Sequence, residues 1–271
     1  MKRIAIGFIV LCAVVSLVLA ASATAADKFP SKRITYKICF NPGGESDITA
    51  RFQEAALKKA LGVDVAITYQ VGGGGALCWA ELTRTKPDGY TIAGHNLPHT
   101  VVQPMEMGNA GYKTLDLKQV YMFESTPDVL FVRKDSPYKT LKEFVEAVKK
   151  QPAGTFTCGG SASSSANDLG TSMFNKAAGI KLTYIPFGGT GSAIPALLGG
   201  HVTALMSYST MAIQQKDQFR ALAIATEKRM EVLPDLPTFK EQGYDVVEGA
   251  YRGVAAPPGT PDEIVKILAD A

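Results

Sequence analysis

Between residues 33 and 61 the hydrophobic pattern changes period. Ile34, Tyr36, Ile38 and Phe40 alternate with polar positions, which predicts a strand. Beyond the turn Asn41-Pro42-Gly43-Gly44-Glu45-Ser46-Asp47, the residues Ile48, Phe52, Ala55 and Ala56 recur at helical spacing, and Gly62 marks the stop. Ser46 or Asp47 is expected to supply the N-cap oxygen. A helix that begins where a strand ends stands at the edge where open α/β sheets bind ligands. Its free N–H groups and dipole favour an anion. On this stretch alone, a tight connection with no ligand explains the pattern equally well.

The same arrangement returns three times. Strand 155–158 runs into Gly159-Gly160 and the hydroxyl run Ser161-Ala162-Ser163-Ser164-Ser165, then a helix to Ala178 closed by Gly179. Strand 181–186 runs into Phe187-Gly188-Gly189-Thr190-Gly191-Ser192 and a helix over 193–198. Strand 202–206 ends in Ser207-Tyr208-Ser209-Thr210. Other alternating stretches predict strands at 63–69, 90–94, 219–225 and 246–256, with helices over 76–86 and 141–150. Residues 120–123 and 129–132 predict two strand halves that cross between lobes. Thr260-Pro261-Asp262-Glu263 has the form of a helix start, with Thr as N-cap, Pro at N1 and Glu at N3. Strands alternating with helices predict an α/β fold.

Several chemistries fit poorly. Glycines 72–75 precede a helix, but neither a following Gly-Lys-Ser/Thr nor a spaced dinucleotide fingerprint accompanies them. His95 and His99 stand four apart, yet Pro98 spoils the helix that would bring both to one metal, so 95–100 is expected to be a polar loop. Gly159-Gly160-Ser161-Ala162-Ser163 lacks the final glycine of a nucleophile elbow. No catalytic group, metal set or cofactor motif stands out.

Residues 1–26 open with Lys2-Arg3, continue as an apolar run and end in Ala23-Thr24-Ala25, the pattern of a secretory signal peptide cleaved near Ala23 to Ala26. An uncleaved anchor is the alternative; Cys12 lacks a lipoprotein context. Cleavage removes Lys2 and Arg3 and no acid, taking the net charge from +3 to +1, which argues against nucleic acid. The three later cysteines, Cys39, Cys78 and Cys158, do not form a framework. Buried apolar roles are expected for all three, with a single Cys39–Cys78 bridge as the alternative.

Seven short stretches in order carry a family resemblance. They are Phe29-Pro30-Ser31-Lys32, Pro42-Gly43-Gly44 with Ser46-Asp47, and Pro87-Asp88-Gly89-Tyr90-Thr91. Then come Leu197-Leu198-Gly199-Gly200-His201-Val202, Arg220-Ala221-Leu222-Ala223, Leu233-Pro234-Asp235-Leu236-Pro237-Thr238 and Ala256-Pro257-Pro258-Gly259-Thr260-Pro261. With these the chain resembles the substrate-binding proteins of tripartite tricarboxylate transporters, the Bug family. The resemblance implies a two-lobed, type II periplasmic binding fold, each lobe a mostly parallel sheet flanked by helices. Lobe 1 would comprise 27–124 and 247–271, and lobe 2 would comprise 125–246. It further implies a monomer in the periplasm that delivers a small carboxylate to large and small membrane subunits. A secreted hydrolase-like enzyme, or a sensing component on the same fold, is the alternative.

Carried across, the ligand contacts are Gly43, Gly44, Ser46 and Asp47 from lobe 1. From lobe 2 they are Ser163, Ser164, Ser165, Gly189 and Thr190. Three departures stand out. Glu45 replaces a small or hydroxyl residue, which disfavours a multiply charged ligand. The 72–75 loop lacks the family's Asn-Arg-Pro-Gly run. Members also continue beyond the Thr260 helix, so the chain is expected to be truncated. Arg252 is the best candidate cation for the anion, with a salt bridge inside the crossover strands as the favoured role.

Overall fold

The structure, a computed structural model, describes residues 28–271; the expected signal peptide lies outside the described residues. Its first elements are β1 (Ile34–Ile38), α1 (Glu45–Leu61), β2 (Val65–Tyr69), α2 (Ala76–Leu82), β3 (Thr91–Leu97) and α3 (His99–Glu106). There follow β4 (Lys118–Arg133), α4 (Leu141–Lys149), β5 (Thr157–Ser161), α5 (Ala166–Ala178), β6 (Thr183–Phe187) and α6 (Thr190–Leu198). The remainder is β7 (Ala204–Tyr208), α7 (Ser209–Gln214), β8 (Phe219–Ile224), β9 (Gly249–Ala256) and α8 (Asp262–Asp270).

The strands form a two-lobed α/β arrangement in the order β2-β1-β3-β9-β4-β7-β5-β6, with β8 on β4. Pairing is parallel among β1, β2 and β3 and among β5, β6 and β7. It is antiparallel wherever β4 or β9 takes part. These two long strands join the halves.

Residues 118–133, expected as two halves, form one strand. Its first part pairs with β9 and its last part with β7 and β8. Pro127 lacks an N–H and looks like a break. It is accommodated because Gly249 stands opposite, where a Cβ would lie 2.7 Å from Pro127 Cα. Alternation along β4 sends Leu130 and Val132 into a cluster with Phe144, Phe156 and Phe174, and Val129 and Phe131 into one with Ala193, Leu197 and Leu205. Helices therefore cover both faces, although the sheet is mixed and not mostly parallel as expected, because β4 and β9 run antiparallel to their neighbours. In the other half, Ile34, Tyr36 and Ile38 pack under Ala50, Leu57 and Leu61 of α1, together with Leu268 of α8.

Several local expectations change. The α1 N-cap is Gly44, with no side-chain cap, because Asp47 turns back instead to accept the Gly43 N–H at 2.8 Å. The helix His99–Glu106 begins directly after Pro98, so 95–100 is a strand end and helix start instead of a loop. The last helix begins after Pro261, because the Thr260 hydroxyl donates to Pro257 O at 2.7 Å. Cys39 and Cys78 are disulfide-bonded, since α2 packs beside the end of β1 with the two Cα atoms 5.3 Å apart; only Cys158 is a free, buried thiol among the described cysteines. Among the described residues, no helix is long and apolar enough to cross a membrane.

Candidate functional site

Strand ends from both lobes meet around one narrow cleft, lined by Phe40, Gly44, Glu45, Ser46, Asn96, His99, Ser161, Gly189, Thr190, Tyr208 and Arg252. Each contribution follows from local folding. The β1–α1 turn gives residues 40–46, the β3–α3 junction Asn96 and His99, and the end of β5 Ser161. The start of α6 gives Gly189 and Thr190, the end of β7 Tyr208, and β9 Arg252.

The lobes touch across this cleft. Asn41 N–H donates to Gly188 O at 3.3 Å, and Glu45 N–H donates to Thr190 Oγ1 at 3.1 Å. The Thr210 hydroxyl donates to Glu45 Oε2. On the lobe 1 wall, Asn96 Nδ2 donates to Ser46 Oγ at 3.3 Å. The conformation is a closed one.

Of the nine residues carried over from the resemblance, Gly44, Ser46, Gly189 and Thr190 line the cleft. Gly43 does not; its φ of +74° is a backbone demand of the turn, and a Cβ there would meet nothing within 4 Å. Asp47 also stands behind the cleft. Burial pulls its pKa up, but the Gly43 N–H, Tyr69 and Arg51 outweigh that and hold it below the ordinary carboxylate value. Ser163, Ser164 and Ser165 do not line the cleft either. Ser164 Oγ donates to Glu106, and Ser165 Oγ accepts the Asp168 N–H at 3.2 Å as the cap of α5. Ser161, two residues before this run, faces the cleft in their place.

Arg252 is 3% exposed. Its guanidinium carbon lies 4.3 Å from the Tyr208 ring centroid, and Nη1 donates to Thr126 Oγ1. The expected salt bridge is not formed. Glu124 stands opposite it in the β4–β9 ladder, yet no ion pair of Arg252 occurs among the described residues. Burial raises the Glu124 pKa, and Arg252 only partly opposes it.

His99 is 1% exposed; burial, aided by Arg252, pushes its pKa down to about 3, so it is a neutral imidazole. Burial pushes His95 down to about 4, and its Nε2 pairs with Thr100 Oγ1 at 2.9 Å. Burial holds the Tyr208 phenol up at about 12, against the pull of Arg252. Three buried polar atoms of cleft residues have no hydrogen-bond partner: Glu45 Oε1, His99 Nδ1 and Arg252 Nε. Native interiors rarely leave such atoms unpaired. Among the described residues, no cluster of three His, Cys, Asp or Glu side chains could hold a metal.

Sequence reasoning did not name Asn96 or Tyr208 as contacts, weighed His99 only as a metal ligand and Ser161 only as a nucleophile, and took Glu45 only as a departure. The signal available was position, since all but Glu45 stand at the carboxyl end of a strand or just beyond it.

Known proteins share this architecture. Residues 49–271 match the family described as the tripartite tricarboxylate transporter family receptor. The chain is 30% identical to BugT of Bordetella pertussis over 254 residues, 92% of this chain and 77% of BugT. It is 32% identical to an Agrobacterium vitis protein of the TAR-I ttuE-ttuC' intergenic region, over 92% of this chain and 72% of that protein. The periplasmic binding protein BugD superposes with a TM-score of 0.83 at 30% identity, covering 89% of this chain and 81% of BugD. MatC from Rhodopseudomonas palustris, solved with malate, gives 0.81 at 29% identity, covering 89% and 83%. An R. palustris protein solved with adipate gives 0.84 at 26% identity, covering 89% and 81%. The cleft between two α/β lobes, the sequence match and the superpositions agree, and the chain belongs to the tripartite tricarboxylate transporter receptor family, the Bug-type periplasmic solute-binding proteins.

Proposed function

We propose that the cleft captures a small carboxylate-bearing solute and presents it to the large and small membrane subunits of a tripartite carrier. The chain acts as a monomer, in the periplasm, after loss of residues 1–26. The lobes are 27–124 with 247–271, and 125–246. Binding is the whole of its chemistry; the solute leaves unchanged.

One observation carries this reading. Arg252, a buried cation with an unpartnered Nε, lines a cleft ringed by the starts of α1, α3 and α6. Helix starts favour anions, and a guanidinium N–H paired with a carboxylate is among the stronger protein hydrogen bonds. The malate and adipate held by two relatives belong to the same chemical class. Gly44, Ser46, Gly189 and Thr190 are proposed as contacts, joined by Asn96, His99, Tyr208 and Arg252. Gly43, Asp47 and Ser163 to Ser165 are proposed to shape the turns behind them.

A thermal-shift screen of organic and amino acids tests the reading. A ligand at about 100 times its dissociation constant stabilises the folded chain by about 2.7 kcal/mol. The expected result is a carboxylate hit recovered chemically intact. Conversion of the hit to product would overturn it.

A further inference from the structure

We propose that the cleft is charge-paired for a zwitterion: Arg252 takes the carboxylate of the solute, and Glu45 takes a cationic, hydrogen-donating nitrogen of the same molecule. This rests on the carboxylate reading above and narrows it.

Glu45 is 7% exposed and lines the same cleft as Arg252. It is the first residue of α1, where the helix dipole favours an acidic side chain. One carboxylate oxygen, Oε2, accepts from Thr210; the other, Oε1, has no partner. Its backbone N–H is already used by Thr190 Oγ1. The start of α1 thus carries the chain's own carboxylate, at the position where a ligand anion would otherwise gain most from that helix.

A buried carboxylate oxygen without a donor is costly, and a ligand N–H removes that cost. A second ligand carboxylate would instead meet Glu45 in a site shielded from water, where like charges repel far more strongly than in bulk. Arg252 supplies the opposite pole in the same space, through an Nε that is likewise unpartnered. The neutral His99 adds a further polar edge, Nδ1, without adding charge. Glu124, opposite Arg252 in the ladder, does not line the cleft and so does not act on the ligand directly. Attraction for a zwitterion and repulsion of a dianion come from the same side chain, which is how specificity is commonly built.

The test uses two matched sets of acids, titrated calorimetrically into the native chain and into Glu45→Gln. The amines are glycine, L-alanine, β-alanine, γ-aminobutyrate and δ-aminovalerate. Their partners, in which a second carboxylate replaces the amine, are malonate, methylmalonate, succinate, glutarate and adipate. At least one amine is expected to bind the native chain about tenfold or more tighter than its partner, the size of one charged hydrogen bond. Glu45→Gln, which keeps the side-chain shape, is expected to erase or reverse that order. Circular dichroism confirms that the variant is folded. If dicarboxylates bind the native chain better, or if Glu45→Gln leaves the order unchanged, the zwitterion inference fails while the carboxylate reading stands. If no acid of either set binds, both fail.

Discussion

Gly44 and Gly191 face each other between the lobes so closely that Gly191 has no room for a side chain and one on Gly44 would be crowded. A Cβ on Gly44 would lie 3.0 Å from Gly191 N and 3.1 Å from Thr190 Oγ1, and one on Gly191 would lie 2.9 Å from Gly44 N. Gly44 itself has an ordinary extended backbone, with φ of −88°, which valine adopts readily. The constraint at this glycine comes from the opposite lobe. Gly44→Val should therefore fold normally and fail to close, losing measurable ligand binding. Calorimetry reads the loss, and circular dichroism with thermal melting checks the fold. A variant that binds as the native chain does would show that closure does not bring these two helix starts together.

Ser165 provides the contrasting case. Its hydroxyl accepts the Asp168 N–H, donates to Ala162 O at 3.0 Å and is buried away from the cleft. Ser165→Ala should cost about 1 kcal/mol of stability, as the loss of an N-cap does. Affinity should be unchanged. Denaturant melts and calorimetry on the same preparation separate the two effects; a clear loss of affinity at native-like stability would place Ser165 in the site after all.

Local chemistry made much of the fold legible. The alternation at Ile34, Tyr36 and Ile38 became β1, and Ser165 and Gly179 do bound α5. What could not be read depends on partners remote in sequence. Pro127 lies in the gap expected between the strand halves 120–123 and 129–132, and β4 runs through it because Gly249 stands opposite. The Cys39–Cys78 bridge depends on where α2 settles against β1. The hydroxyl run at Ser163 to Ser165 has the composition of a ligand loop, but the turn into α5 carries it past the cleft and leaves Ser161 at the wall. Glu45 and Arg252 looked like a departure and a structural cation. Only the β7 end, placing Tyr208 beneath the guanidinium, shows the two side chains lining one space.

The buried histidines set a pH dependence. The His99 pKa is lowered in the folded chain, so unfolding lets it gain a proton at any pH below its ordinary value of about 6.5. Its contribution to stability is present above that value and is lost as pH falls toward its folded value of about 3. At about pH 5 the loss amounts to about 2 kcal/mol for this one residue. Burial raises Asp128 well above the carboxylate range, which acts in the opposite sense, stabilising at low pH and fading as pH rises. A difference measurement is therefore needed. Between about pH 7.5 and about pH 5, ligand-free His99→Gln should lose about 2 kcal/mol less stability than the native chain. Parallel pH profiles would show that His99 is protonated in the folded state.

The remaining question is what holds the anion. Backbone amides and hydroxyls at the helix starts were the expected answer, and Arg252 was expected to be tied up in an ion pair. The structure leaves it without one, beside Tyr208, lining the cleft and with Nε unpartnered. Arg252→Gln should then weaken carboxylate binding about 10- to 100-fold, the range of a hydrogen bond to a charged group. Arg252→Lys should fall between the native chain and Arg252→Gln, because lysine keeps the charge and loses the planar fork. The same series separates the charge from its packing. If loss of the Tyr208 stacking and the Thr126 contact were the cause, both variants would melt at lower temperature and bind equally poorly. Calorimetry beside thermal melts on the two variants and Gly44→Val decides the matter. Should Arg252→Gln bind within about twofold of the native chain while Gly44→Val does not bind at all, the anion is held by the helix starts alone, and Arg252 serves only to pack β9 against Tyr208.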